Sequence, residues 1–176
     1  MDQKIEAEIV AKILKGDKQA YALLIDEYKS PIYNLAYRMT TNVEDADDIT
    51  QETFLRAYQY LWRYDPRNKF FTWLYTLAFN LIKNHLRKNK NRKLSDELNA
   101  SSLTDNNPST EQKLIEDQEI MAYLLRLEEE PRALLIMKYQ EELSFDEIAG
   151  ITGKSVSAVK MRIYRGLERL RELMKE

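Results

Sequence analysis

Five aromatic residues fall within ten positions at Phe70, Phe71, Trp73, Tyr75 and Phe79. The same run, FFTWLYTLAFNLIKNHLRKNKNRK, continues into Lys83, Arg87, Lys88, Lys90, Arg92 and Lys93 with no acid among them. Rings beside cations can take unstacked nucleic-acid bases on their faces, at about 1–3 kcal/mol per base, while the charges follow the phosphates. Helical spacing offers another use for the same rings. Phe70, Leu74, Leu77 and Leu81 can line one buried face, with Trp73 and Phe79 partly in the core and the cations as a solvated end. Asn80 carries both a donor and an acceptor, which suits it to reading a base edge.

Two other constellations could do chemistry. Glu44, Asp45, Asp47, Asp48 and Glu52 set carboxylates at helical spacing, as a divalent-cation site or as a solvated helix face. No Gly-turned loop is present to wrap an ion, which favours the solvated face. His85 is the only histidine and has no second ligand or nucleophile beside it, so a surface or backbone-contacting role is expected. Near the C-terminus, Ser144 and Glu147 form the S-x-x-E capping box, Thr152-Gly153-Lys154 makes a tight reversal, and SVSAVKMRIYRGLERLREL follows. This is a helix-turn-helix pattern with a basic second helix, as a major-groove reader requires.

The elements that must position these residues are helical. Hydrophobic content of 44% with 32% charged residues suits a globular chain rich in surface helices, and four Gly and four Pro leave little for hairpins. A first helix carries Ile5, Ile9 and Ile13 and ends at Gly16; Asp17 caps the next, which runs to about Met39 with Tyr21, Leu24, Ile25, Tyr28, Ile32, Leu35 and Ala36 inward. Pro31 predicts a kink or a break after Lys29. A third helix follows Asn42 through Ile49, Phe54, Ala57 and Leu61, residues 63–69 form a loop, and the ring-bearing stretch is the fourth helix. In the second half helices are expected at 111–127, 131–140, 144–151 and 155–174. The stretch SDELNASSLTDNNPSTEQ between the halves reads as a linker.

Charge divides the chain in the same way. Residues 1–93 carry a net of +4, residues 94–130 a net of -8 and residues 131–176 a net of +2, against -2 overall. An acidic middle masks two basic ends, and basic ends suit a polyanion. With no cysteine there is no disulfide framework or thiolate site. The first residues show neither a signal peptide nor a membrane span, so a cytoplasmic protein without membrane insertion is expected.

With these residues in place, DADDITQETFLRAYQYL followed by KFFTWLYTLAFNLIKNHLRK, and a helix-turn-helix at the end, the chain resembles the extracytoplasmic-function sigma factors of bacteria. The likeness covers residues from about 10 to 93 and from about 117 to 175. It implies an all-α protein of two small helical domains: sigma region 2 over residues 1–93, a flexible acidic linker over 94–112, and sigma region 4 over 113–176. It implies a promoter-recognition subunit of RNA polymerase with no catalysis of its own and no cofactor or metal.

Carried onto this sequence, the resemblance implies that Asp48, Gln51, Glu52, Leu55 and Arg56 meet the clamp helices of the polymerase's largest subunit, with Phe54 buried and the flap region as a further contact. Tyr64, Asp65, Thr72, Trp73, Tyr75, Asn80, Lys83, Asn84, Arg87 and Lys88 would handle the melted minus-10 element, Asn80 lining a pocket for a flipped base. Ser155, Ser157, Lys160, Met161, Arg162, Tyr164 and Arg165 would face the minus-35 duplex, with Lys160 and Arg165 at base edges. An anti-sigma factor is an implied partner. Ala158 and Met161 stand where the family commonly has Thr and Ser, and Leu127 is followed by Glu128 where a Leu-Pro pair is usual. A free-standing regulator would explain residues 131–176 equally well but not the acidic helix or the ring-and-charge helix. A metal-dependent hydrolase built on the carboxylates and His85 is the remaining alternative.

Overall fold

The computed structural model describes residues 1–97 and 120–175, and every regular element among them is helical. Helix α1 (Gln3–Leu14) is capped by Asp2, whose side chain accepts from the Lys4 amide. It buries Ile9, Val10 and Ile13, whereas Ile5, expected on the apolar face, is exposed. Glu6 turns inward instead. Gly16 takes φ 107°, and Asp17 caps the short 3-10 turn Lys18–Ala20 through the Ala20 amide.

Helix α2 (Tyr21–Thr40) passes through Pro31 without the expected break. Leu24, Tyr28, Ile32, Leu35 and Ala36 are buried on both sides of the proline, and this packing holds the helix where propensity alone would end it. Helix α3 (Val43–Gln59) starts at Asn42, whose side chain accepts from the Asp45 amide, and packs along α2. A 3-10 turn, Leu61–Arg63, and a loop then lead to α4 (Phe70–Glu97), the ring-bearing helix.

The start of α4 is capped from a distance. Glu6 of α1 accepts from the Phe70 amide at 3.0 Å through one carboxylate oxygen and from the Tyr28 hydroxyl through the other. A buried carboxylate at a helix N-terminus is favourably placed against free N–H groups and the helix dipole.

The predicted linker lies mostly outside the described residues, as does the start of the helix expected from 111; what is described of that helix, α5, spans residues 120–125. Helix α6 (Glu129–Leu135) runs into a π-turn, Ile136–Gln140, rather than continuing as α-helix to 140. Helix α7 (Phe145–Thr152) begins at Ser144 with the capping box to Glu147 formed in both directions. Gly153 at φ 67° makes the left-handed turn into α8 (Val156–Leu173), which Ser155 caps through the Ala158 amide. Leu143, Ile148, Ile151, Val159 and Ile163 form the seam of this helix-turn-helix.

The two halves pack on one another. Helix α7 lies against α4, and α6 with the π-turn lies against α2. Arg38 pairs with Glu141 at 2.7 Å and Lys69 with Glu147 at 2.8 Å. No described helix is long and apolar enough to cross a membrane.

Candidate nucleic-acid interface

The rings of α4 separate by burial. Phe70, Tyr75 and Phe79 are core residues, whereas Phe71 and Trp73 are half-buried. Phe70 packs on Tyr28, Tyr64 and Trp73 at centroid distances of 5.9, 5.3 and 5.5 Å, and Phe71 on Tyr75 at 4.5 Å. Two residues expected to meet a melted strand are therefore elsewhere. Tyr75 is fully buried, its hydroxyl directed at the Pro31 carbonyl (3.2 Å) and at Glu141 (3.3 Å). Tyr64 follows the exposed Trp62 and Arg63 in sequence, yet its ring packs against Phe70 and Trp73 and its hydroxyl donates to the Asn68 carbonyl at 2.7 Å. Burial pushes the Tyr64 phenol up to about 12.

The remaining α4 residues fall on two adjoining stripes. Asn80, Asn84, Arg87 and Lys88 are exposed. Thr72, Thr76, Phe79 and Lys83 lie on the neighbouring stripe, at successive spacings of three or four residues. Thr72 and Thr76 are half-exposed, and α7 covers this side: a Cβ placed on Gly150 would stand 3.0 Å from the Thr72 methyl carbon. Lys83 is exposed and holds its ammonium 5.3 Å from the Phe79 ring. Asp65 is gripped by Arg67 at 2.6 Å, and that hydrogen bond holds its carboxyl below the ordinary range.

The acidic helix α3 presents Asp48, Gln51, Leu55 and Arg56 outward, with Glu52 half-exposed and paired to Arg56 at 2.6 Å. Phe54 is buried on the opposite side, where its carbonyl accepts from Tyr21. Among the described residues no group of three His, Cys, Asp or Glu is placed to hold a metal ion. Asp45 engages His85 at 3.0 Å, which ties α3 to α4, and Asn89 completes the contact at 2.8 Å. The only histidine is thus half-buried between two helices.

On α8, Ser155, Ser157, Lys160, Met161, Arg162, Tyr164 and Arg165 are all exposed. Lys160 lies over the Phe145 ring at 5.3 Å, which leans α8 onto α7. Arg162 and Lys154 share Glu130 of α6, so Arg162 is bound at the base of the helix in this geometry. Glu130 is held below the usual carboxylate range because those two partners outweigh the effect of burial.

Sequence reasoning missed three residues that hold these elements in place: Glu6 at the start of α4, Glu141 as the partner of Arg38, and Glu147 as the partner of Lys69.

Residues 24–92 match the family described as Sigma-70 region 2, and residues 117–170 match Sigma-70, region 4. The chain is 36% identical to the ECF RNA polymerase sigma factor SigW of Bacillus subtilis (strain 168), with 95% of each chain covered. It is 29% identical to the RNA polymerase sigma-H factor of Pseudomonas aeruginosa, covering 96% of this chain and 93% of that one. Two solved structures share the fold. CnrH in complex with the cytosolic domain of CnrY matches at a TM-score of 0.73 and 22% identity, with 95% of both chains covered. RpoE of Bartonella quintana in complex with the anti-sigma factor NepR matches at 0.72 and 21%, covering 88% of this chain and 96% of that one.

Proposed function

This chain belongs to the extracytoplasmic-function group of RNA polymerase sigma factors, alternative sigma factors that direct promoter-specific transcription, and from that membership we propose how its residues divide the work. Residues 1–93 act as region 2, residues 113–176 as region 4, and residues 94–112 as the connector. The chain binds core RNA polymerase and promoter DNA in the cytoplasm and performs no catalysis of its own.

The observation that carries the division is the separation of surfaces by charge. The outward face of α3 offers Asp48, Gln51, Glu52, Leu55 and Arg56, a mixed acidic and apolar surface suited to the clamp helices of the polymerase. The open stripe of α4 offers Asn80, Asn84, Arg87 and Lys88 without an acid, suited to a single strand. Asn80 takes a flipped base and the cations follow phosphates. Lys160, Tyr164 and Arg165 on α8 enter the major groove of the upstream element, with Ser155, Ser157 and Met161 at its edge.

The packed arrangement is the resting form. With α7 on the Thr72 side of α4, that stripe is partly covered at Thr72 and Thr76 and open at Lys83, and separation of the halves would bare Thr72 and Thr76 for DNA. RpoE, which shares this fold, is in complex with the anti-sigma factor NepR, and a partner of that class is proposed to hold the closed form of this chain.

Run-off transcription with bacterial core polymerase tests the reading. A specific start, dependent on both promoter elements, is expected. Failure to start, with tight protection of a palindromic duplex by the free chain, would establish a free-standing regulator instead.

A further inference from the structure

The outward face of α8 has a midline of its own. Ser157, Met161, Tyr164 and Glu168 share the side of the helix opposite the buried Val159, Ile163 and Gly166, and all four are exposed. Two of them are large and mostly apolar, Met161 at 54% exposure and Tyr164 at 57%. Glu168, one turn beyond Tyr164, marks where this face stops suiting a polyanion.

The cations of α8 flank this midline. Lys160 leans over the Phe145 ring of α7 at 5.3 Å, and Arg162 is bound to Glu130 of α6. Arg165 makes no ion pair among the described residues and stands one turn beyond Met161. The centre of the reading face is therefore a thioether chain rather than a charge. Ala158 and Met161, which stand where the family commonly has Thr and Ser, both put apolar atoms in the place of a hydroxyl.

Base edges differ in what they offer such a group. In the major groove guanine, adenine and cytosine present hydrogen-bonding atoms, which an apolar chain would cover without pairing. Thymine adds a 5-methyl group beside its carbonyl. An unbranched, polarizable methionine can follow the contour of that methyl closely.

Resting on the proposed sigma-factor function, we propose that Met161 is a specificity-determining residue for the upstream element, reading the 5-methyl group of a thymine close to the base pair held by Arg165. This carries Met161 from the edge of the groove to its floor. Cytosine or a purine in the same place would leave an amino group or a ring nitrogen unpaired beneath the thioether. Arg165 and Met161 then read separate base pairs by different chemistry, one through hydrogen bonds and charge, the other through apolar contact.

The test uses holoenzyme assembled from core polymerase and the full chain, on a promoter that gives a specific start. Each thymine of the upstream element, on either strand, is replaced singly by deoxyuridine, which deletes the methyl and leaves every hydrogen-bonding atom in place. Wild-type affinity is expected to fall about fourfold at one position, the effect of exposing a single methyl. Met161→Ala should bind the thymine and deoxyuridine forms of that position equally, and Met161→Leu should keep the difference. Arg165→Ala should weaken both forms while preserving their ratio, which separates the two readers. A wild-type holoenzyme indifferent to every replacement would overturn the proposal, and so would a thymine preference that survives Met161→Ala. If the wild-type chain starts transcription from no promoter, the sigma reading fails and the thymine contact with it, an outcome that the Met161 variants do not imitate.

Discussion

Arg38 and Glu141 stand 103 residues apart in the chain and close an ion pair of 2.7 Å across the two halves of the molecule. The Glu141 side chain is only 10% exposed, and its second oxygen faces the buried Tyr75 hydroxyl at 3.3 Å. The polar centre of the contact is therefore a three-residue cluster contributed by α2, α4 and the end of the π-turn.

Glu141→Ala removes the acceptor of both Arg38 and Tyr75. A partly buried pair broken on one side loosens the contact by about 1–3 kcal/mol, and Tyr75 keeps only Pro31 as its partner. An increase in the radius of gyration by small-angle scattering is the expected outcome. No change would mean that apolar packing alone holds the halves.

Gly150→Val tests the seam between α7 and α4 by size rather than charge. At 3.0 Å from Thr72, even a Cβ requires its neighbour to give way, and the γ-methyls add to the clash. The variant should open like Glu141→Ala while Arg38 and Glu141 remain intact. Pairing it with Thr72→Ala should restore part of the closure in the same scattering measurement.

Acidification acts on the contact through two glutamates of opposite sense. Burial pushes the Glu141 carboxyl above its ordinary range, with Arg38 and Tyr75 only partly offsetting it, so its closed form holds a proton more tightly than its open form. At this group closure strengthens as pH falls, and weakens as pH rises from the ordinary glutamate value through the closed-state one. At Glu147 burial is outweighed by Lys69 and Ser144, and the carboxyl is held below the ordinary range. Its contribution is present above the ordinary value and is lost as pH falls through the lowered one. Interdomain energy transfer followed from about pH 7 to 4 should show Glu147→Gln closing steadily and Glu141→Gln opening on the acid side.

Asn80→Ala should weaken open-complex formation by about 1–3 kcal/mol while sparing core binding, since the side chain is exposed and supports no packing. Permanganate footprinting and a core-binding titration separate the two effects. Equal losses in both would remove Asn80 from the strand-reading stripe.

Arg165→Ala should cost about 1–3 kcal/mol on the preferred upstream sequence and relax the preference at a single base pair. The side chain is exposed on α8, so the fold should be unaffected. Binding measured across a set of single-base upstream variants provides the check. A uniform loss would make it a phosphate contact.

Local signals were legible in the sequence wherever a few neighbouring residues decide the outcome. Asn42, the Ser144–Glu147 box and the left-handed Gly153 act within four residues of themselves, and all three formed. The surface of α8 was legible for the same reason, because a strong 3.6-residue period leaves its cations outside. Of the kink or break read at Pro31, the break is absent because the rule for an isolated helix omits the apolar contacts on either side of it. Tyr64 misled because loop residues are usually exposed, and the fold of the loop back onto Phe70 and Trp73 of the next helix determines that its ring is covered. The Arg38–Glu141 and Lys69–Glu147 pairs join residues that no local pattern relates.

The Glu6–Phe70 bond spans 64 residues, so the first turn of α4 is completed by a side chain synthesised well before it. Closing so long a loop carries an entropic cost that contacts between neighbouring helices avoid. Helices α2 and α3, adjacent in sequence, can pair first. The helix proposed to read the melted strand thus gains its buried cap when the amino-terminal helix docks.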